Sequence, residues 1–297
     1  MKILVIGAGG ALGLAVVKFL CDQGHQVTAT MRTKNVARIS ALASFGASVD
    51  FLDLENEPAT RDHLAKVEAV IFLPILSVAA HAAKLLKPGQ RAVFFSSNNV
   101  AIDPDDPIYA SLIHAERTVR KTIPSATIIR PTMIYGFLED GNLGRLASLM
   151  RKAPAIPIFG HGRAQQQPVY YRDLAEIACA VLTDESCAGE IVSVGGPTII
   201  SQRDLYGAIK EIVQDATQQK GTQWPVIFQL PAGLTAKALV PFEIVGLRAP
   251  VKSAQISRAN DDKLPLGANI RLGRTPLTAG LREMVRGWDL DGQANAS

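Results

Sequence analysis

The first residues of this chain that could do chemistry are glycines. The apolar run Lys2-Ile3-Leu4-Val5-Ile6 leads into Gly7-Ala8-Gly9-Gly10-Ala11-Leu12-Gly13, and a helical pattern follows. A glycine turn between a strand and a helix can hold an anion with backbone alone. Gly7 permits the tight turn, Gly10 lets the chain approach a pyrophosphate, and Gly13 lets the helix pack close on the sheet. Backbone N–H groups from Gly7 through Gly9, Gly10, Ala11 and Leu12 to Gly13 are the expected phosphate contacts, aided by the helix dipole. A bare glycine pattern is a weak signal. Here it has a strand before it, a helix after it and a second strand on schedule, so a nicotinamide dinucleotide is the expected ligand. A tight turn without a ligand is the plain alternative, and such turns seldom need three glycines at this spacing.

The end of the second strand separates the two forms of that cofactor. An acid there would bind the adenosine ribose hydroxyls and repel a 2′-phosphate. This chain has Met31-Arg32-Thr33-Lys34 instead, with Arg32 nineteen positions after Gly13. A planar guanidinium suits a phosphate, so NADP is favoured, with NAD left open. Asp53-Leu54, after the third strand, could reach the adenine amino group; a solvated loop carboxylate is the competing reading.

These residues need a scaffold. Apolar runs at residues 2–7, 26–31, 48–52, 68–73, 91–96 and 126–130 read as strands. Helical patterns cover 11–23, 33–45, 78–86 and 109–122, the first stopped at Gly24. The alternation predicts an α/β protein with a Rossmann-type, doubly wound parallel sheet whose strands are apolar on both faces. After Pro131 the pattern loosens around Pro154, Pro157, Gly160, Gly162 and Pro168, then resumes with a helix at 173–182 and a strand at 190–194. Helices at 204–213 and 277–286 follow.

Composition narrows the partners. The 297 residues are 47% hydrophobic and 20% charged, the balance of a globular protein. The net charge of +4 comes from scattered residues without a Lys/Arg block, so nucleic acid is not an expected partner. Cys21, Cys179 and Cys187 form no metal-type pair and are read as reduced thiols of a cytoplasmic protein. His25, His63 and His81 lack ligand spacing, so no metal is expected. The most apolar late segment, 226–247, is broken by charged residues and prolines, so no membrane span is expected, and no signal peptide is apparent. A homo-oligomer stays open.

With those residues in place, the chain resembles the short-chain dehydrogenase/reductase superfamily in its extended and atypical branches. The spacing of Gly7, Gly10 and Gly13 matches the extended pattern. Arg130-Pro131-Thr132-Met133-Ile134-Tyr135-Gly136 is similar to the segment that follows the sixth strand there and lies beside the nicotinamide, which adds Pro131 to the cofactor contacts. Gln167-Pro168-Val169-Tyr170-Tyr171-Arg172-Asp173-Leu174-Ala175, Gly195-Gly196-Pro197 and Leu272-Gly273-Arg274-Thr275-Pro276 are similar too. The resemblance implies a dinucleotide domain from residues 1–136 and 167–196. It also implies a smaller substrate-side domain from 137–166 and 197–297.

It implies a chemistry as well. A tyrosine exchanges a proton with the substrate oxygen, a lysine four residues on tunes it, and a serine or threonine after strand five holds that oxygen. Tyr109 matches the tyrosine. Ile113 occupies the lysine's place, with His114 and Lys121 on other parts of the helix. The hydroxyl's place falls on Asn98, leaving Ser97 as the candidate. A phenol with an ordinary pKa near ~10 and no adjacent cation can donate a proton but is a poor base at neutral pH. His161 and Arg163 are candidate contacts on the substrate side. The expected function is an NADP-dependent oxidoreductase acting on a carbonyl or related small molecule. A dinucleotide-binding sensor without turnover, like the nitrogen metabolite repressor, and an epimerase or dehydratase of nucleotide sugars are the alternatives.

Overall fold

The computed structural model describes residues 1–138, 140–217, 225–233, 256, 258–286 and 288. Residues 234–247 of the late apolar stretch lie outside the described residues. Among the described residues, no helix is long and apolar enough to cross a membrane.

The apolar, β-branched runs become strands: β1 (Lys2–Ile6), β2 (Gln26–Met31), β3 (Ser48–Phe51), β4 (Ala69–Phe72), β5 (Arg91–Phe95) and β6 (Thr127–Pro131). Between them lie α1 (Ala11–Asp22), α2 (Val36–Ser44), α3 (Glu57–Leu64), α4 (Leu76–Ala79) and α5 (Pro107–Thr122). Then follow β7 (Ile134–Tyr135), α6 (Leu143–Lys152), β8 (Ala155–Phe159), β9 (Gln165–Gln166), β10 (Val169–Tyr170) and α7 (Tyr171–Thr183). The chain continues through β11 (Ile191–Gly195), β12 (Ile200–Ser201), α8 (Gln202–Ala216), β13 (Val226–Leu230), β14 (Asn269–Leu272) and α9 (Leu277–Val285).

Eight strands form one sheet in the order β14-β11-β6-β5-β4-β1-β2-β3. Every pairing in it is parallel; Ile3, for example, sits opposite Val27 of β2 and Ala69 of β4. The order reverses between β1 and β4. In doubly wound sheets that reversal opens a crevice at the carboxyl ends of the strands, where ligands bind. One face is filled by Leu4, Val70, Phe72 and Phe94 with Leu76, Leu112 and Val119 from the covering helices. Phe72 and Phe94 stack with ring centroids 4.4 Å apart. Burying each side chain of this size contributes about 1.5–3 kcal/mol.

Several expectations need correction. β1 and β4 to β6 are apolar and buried, but β3 is a sheet edge with Phe51 43% exposed, so burial on both faces fails there. Residues 78–86 are not one helix: α4 is a single turn, followed by the 3-10 turn Ala80–Leu85. α2 starts at Val36 because the Asn35 side chain accepts from Arg38 N–H at 3.0 Å and sets the cap there. α3 and α6 were not anticipated. Only Thr60 and Leu64 of α3 are buried, too few for an apolar stripe, and Asn56 caps it instead. α6 lies within the proline- and glycine-punctuated stretch that reads as loop.

The chain divides into two compact units. The first comprises Met1–Thr132, Tyr171–Gly195 and Pro265–Gly273, with the eight-stranded sheet. The second comprises Met133–Tyr170, Gly196–Leu264 and Arg274–Ser297, with the two-stranded pairs β10-β7, β12-β9 and β13-β8. Residues 197–297 are therefore not all on the substrate side, because β14 is an edge strand of the main sheet. All three cysteines are free, and burial pushes the Cys179 thiol up to about 12.

Candidate dinucleotide-binding site

The glycine loop is suspended from β2. Gly7 N–H and Ala8 N–H both donate to Thr30 O, at 3.0 and 2.9 Å. Gly7 has φ +83°, and a methyl there would lie 3.0 Å from Pro74 Cδ. A methyl on Gly13 would lie 2.6 Å from the Ala8 backbone, and one on Gly9 3.1 Å from Met31 Sδ. Gly10 is different. It precedes α1 with φ −84° and ψ 169°, a conformation any residue adopts, and a Cβ there meets nothing within 4 Å. α1 also has no side-chain cap and no acid in its first turn, so its own sequence supplies nothing negative to its positive end. Open space at Gly10 beside an uncapped helix start fits a pyrophosphate; any side chain at Gly10 would fill that cradle.

Around the loop, Met31 is buried while Arg32, Thr33 and Lys34 are exposed, so the end of β2 presents two cations and no carboxylate. Among the described residues Arg32 makes no ion pair. Asp53 is exposed in a turn, its Oδ1 accepting from Glu55 N–H at 3.1 Å. Leu54 packs in the core at 5% exposure, and its carbonyl accepts from His81 Nε2 at 2.8 Å, leaving no side chain to offer a ligand. Pro131 is buried at the end of β6, where Thr132 N–H bonds Val194 O.

Beside that end, Arg130 bonds Glu116 of α5 through Nε (2.8 Å to Oε1) and Nη2 (to Oε2). Glu116 is 3% exposed, and stripping one partner from such a buried pair destabilises by about 3–5 kcal/mol. The pair fixes α5 on β6, and α5 carries Tyr109 on its first turn, behind the Asp106 cap and Pro107.

β5 ends in the other half of the constellation. Ser97 Oγ accepts from Asn99 N–H at 3.2 Å and caps the 3-10 turn Asn98–Ala101. Asn98, in the place of the superfamily's hydroxyl, is 1% exposed, and its Oδ1 accepts from Leu266 N–H at 3.1 Å, a structural duty. Asn99 Nδ2 donates to the Tyr109 hydroxyl at 2.9 Å. The fold thus joins Ser97 and Tyr109 through a residue that sequence reading passed over. No spacing or motif singles out Asn99. Among the described residues, Ser96 Oγ is buried with no hydrogen-bond partner. Ile113 is half-buried against the apolar cluster, and Lys121 is exposed, so neither supplies a cation to the phenol.

In the second unit, His161 is exposed and held by its neighbours. Its N–H donates to Asn260 Oδ1 at 3.0 Å, its carbonyl accepts from Gln229 Nε2 at 2.8 Å, and its Nδ1 accepts from Arg163 N–H at 3.0 Å. A neutral His161 therefore carries its hydrogen on Nε2. A cavity of about 610 Å³ lies between α8 and β13, with Ile158, Gly207 and Phe228 in its walls. Among the described residues no three His, Cys, Asp or Glu side chains are grouped to hold a metal ion. His63 instead bonds Asp50 Oδ2 at 3.0 Å.

Residues 1–139 match the NmrA-like family. The chain is 26% identical to subunit 9 of the NADH dehydrogenase [ubiquinone] 1 alpha subcomplex, mitochondrial, from Arabidopsis thaliana, over 85% of this chain and 66% of that protein. The Mus musculus subunit of the same name is also 26% identical, over 95% of this chain and 79% of its own length. The chain thus spans just under two thirds of the plant relative. Among solved structures, dTDP-glucose 4,6-dehydratase from Bacillus anthracis in complex with NAD superposes with a TM-score of 0.69 at 13% identity, covering 99% of this chain and 98% of the other. The order of the eight-stranded sheet and these likenesses give the chain the fold of the extended short-chain dehydrogenases/reductases, and its first 139 residues are similar to the NmrA-like family.

Proposed function

We propose that this chain binds NADPH and uses it to reduce the carbonyl of a small molecule, with Tyr109 as proton donor. The observation that carries the reading is the pairing of an open, uncapped glycine loop with a β2 end that bears Arg32 and Lys34 and no acid. Arg32 would pair with the 2′-phosphate, and the loop N–H groups would hold the pyrophosphate. When bound, the dihydronicotinamide supplies a hydride. Tyr109 supplies the proton, so the carbonyl π bond gives way to one C–H and one O–H bond, and water restores the phenol. The three free thiols support a reducing compartment, cytoplasmic or, as the relatives' names say of them, mitochondrial.

Ile113 in the lysine's place favours a second reading, in which the nucleotide is held without turnover, and two relatives named as subunits of a larger assembly agree with it. One experiment separates the two. Purified protein is titrated with NADPH and then mixed with a panel of carbonyl compounds while nicotinamide absorbance is followed. Turnover that falls about 10²–10⁴-fold in Tyr109→Phe, with NADPH affinity unchanged, supports the reductase. Saturable binding without turnover across the panel supports the holder.

A further inference from the structure

We infer that Asn99 is a positioning residue for Tyr109, doing with a neutral amide the orienting that Ile113 cannot do. The inference rests on the reductase reading and names a residue that reading does not use. Asn99 Nδ2 lies 2.9 Å from the phenol oxygen and donates to it. That bond occupies a lone pair of the phenol oxygen. As the phenol gives up its proton its oxygen gains negative charge, and an N–H already in place becomes a charge-assisted bond, roughly twice as strong as a neutral one. The contact is therefore worth more in the transition state than in the ground state, which is the condition for raising a rate.

Both ends of the contact are held before any ligand arrives. Asn99 N–H bonds Ser97 Oγ, and Asn99 O accepts from Ile102 N–H at 3.0 Å and Asp103 N–H at 2.9 Å. The preceding residue, Asn98, is tied to Leu266 N–H, and Leu266 O accepts from Ser193 Oγ on β11. The 3-10 turn that carries Asn99 is thus tied through Leu266 to the middle of β11. On the other side, Asp106 Oδ1 accepts from Ile108 N–H at 2.9 Å, and Ala110 N–H bonds Asp106 O at 2.8 Å, so the turn of α5 that bears Tyr109 is closed by its own cap. A donor fixed this way needs no reorganisation when charge develops, the property that makes such groups effective.

The test compares wild type, Asn99→Ala, Asn99→Asp, Tyr109→Phe and the Asn99→Ala/Tyr109→Phe double variant. Single-turnover oxidation of NADPH with the carbonyl panel, NADPH affinity and thermal denaturation are measured for each. Asn99→Ala should slow the hydride step about 10-fold with NADPH affinity unchanged, since one positioned hydrogen bond is worth about a factor of ten. Asn99→Asp keeps the shape and swaps the donor for an acceptor, so it should be slowed at least as much. In the Tyr109→Phe background, Asn99→Ala should have no further effect. A readout free of turnover is the tyrosine 13Cζ resonance of Tyr109 in nucleotide-free protein, which should move in both Asn99 variants. Turnover by Asn99→Ala at the wild-type rate, or an equal further loss in the double variant, overturns the inference and leaves the reductase standing. Absence of turnover in wild type overturns the reductase reading and this inference together. If Asn99→Ala fails to fold, the isosteric Asn99→Asp decides: wild-type rate with an unmoved resonance overturns the role.

Discussion

Gly10 in the first compact unit and Gly160 in the second both belong to short loops that follow a strand. A methyl added to Gly10 meets nothing within 4 Å, whereas one on Gly160 runs into the Asn260 side chain. Gly10 has ordinary backbone angles, and Gly160 has φ +82°. The 160–162 loop is satisfied from within: Asn260 and Gln229 hold the His161 backbone, and Arg163 N–H holds its ring. The 7–13 loop is satisfied on one side by Thr30 and left open on the other, at the start of a helix with no cap. Glycine sits in two different settings here: at Gly160 it accommodates the protein's own packing, and at Gly10 it leaves the space beside the helix start open. This is also why His161 is a weaker ligand candidate than its position in a glycine loop suggests.

The comparison is broken most directly at Gly10. Gly10→Val should abolish NADPH binding, a loss well beyond 100-fold, while the melting temperature stays near wild type because the side chain enters open space on an extended backbone. Isothermal titration beside circular dichroism checks it; a folded variant of unchanged affinity would remove the loop from the site. Next comes Arg32→Ala, which should erase most of an on the order of 10- to 100-fold preference for NADPH over NADH and leave NADH affinity nearly untouched. Equal binding of both cofactors by the wild type would end the NADP assignment. The smallest effect is expected from Gly160→Ala. It should lower stability by about 1–3 kcal/mol through the positive φ and the Asn260 contact, with NADPH affinity unchanged. Chemical denaturation and the same titration read both halves, and a loss of affinity without a loss of stability would make the second loop a ligand loop as well.

Some of this was legible in the chain itself. The glycine loop, the first six strands and the cation at the end of β2 depend on neighbours in sequence: backbone freedom at glycine, apolar runs of strand length, and a residue at a set distance from a turn. Elements whose faces carry little apolar signal were lost, as α3 shows, because its helix rests on the Asn56 cap more than on burial. β14 is not legible as part of the main sheet because its exposed residues Ile270 and Leu272 do not mark a sheet edge in sequence. Tyr109 was named by resemblance, and its partner was not, since Asn99 is ten residues away across an irregular turn whose path no periodicity encodes.

Sequence alone therefore determined that this protein has a doubly wound sheet with a glycine loop at its start, because those features are set by local backbone geometry and burial pattern. Tertiary structure alone decided that Gly10 faces open space while Gly160 is packed and that Leu54 is core. It also decided that Asn98 anchors Leu266, 168 positions away, and that the Tyr109 phenol rests on an amide where a lysine is absent. Each of those depends on which side chains the fold brings within about 3–4 Å, and contacts of that range between distant segments are products of the packed whole.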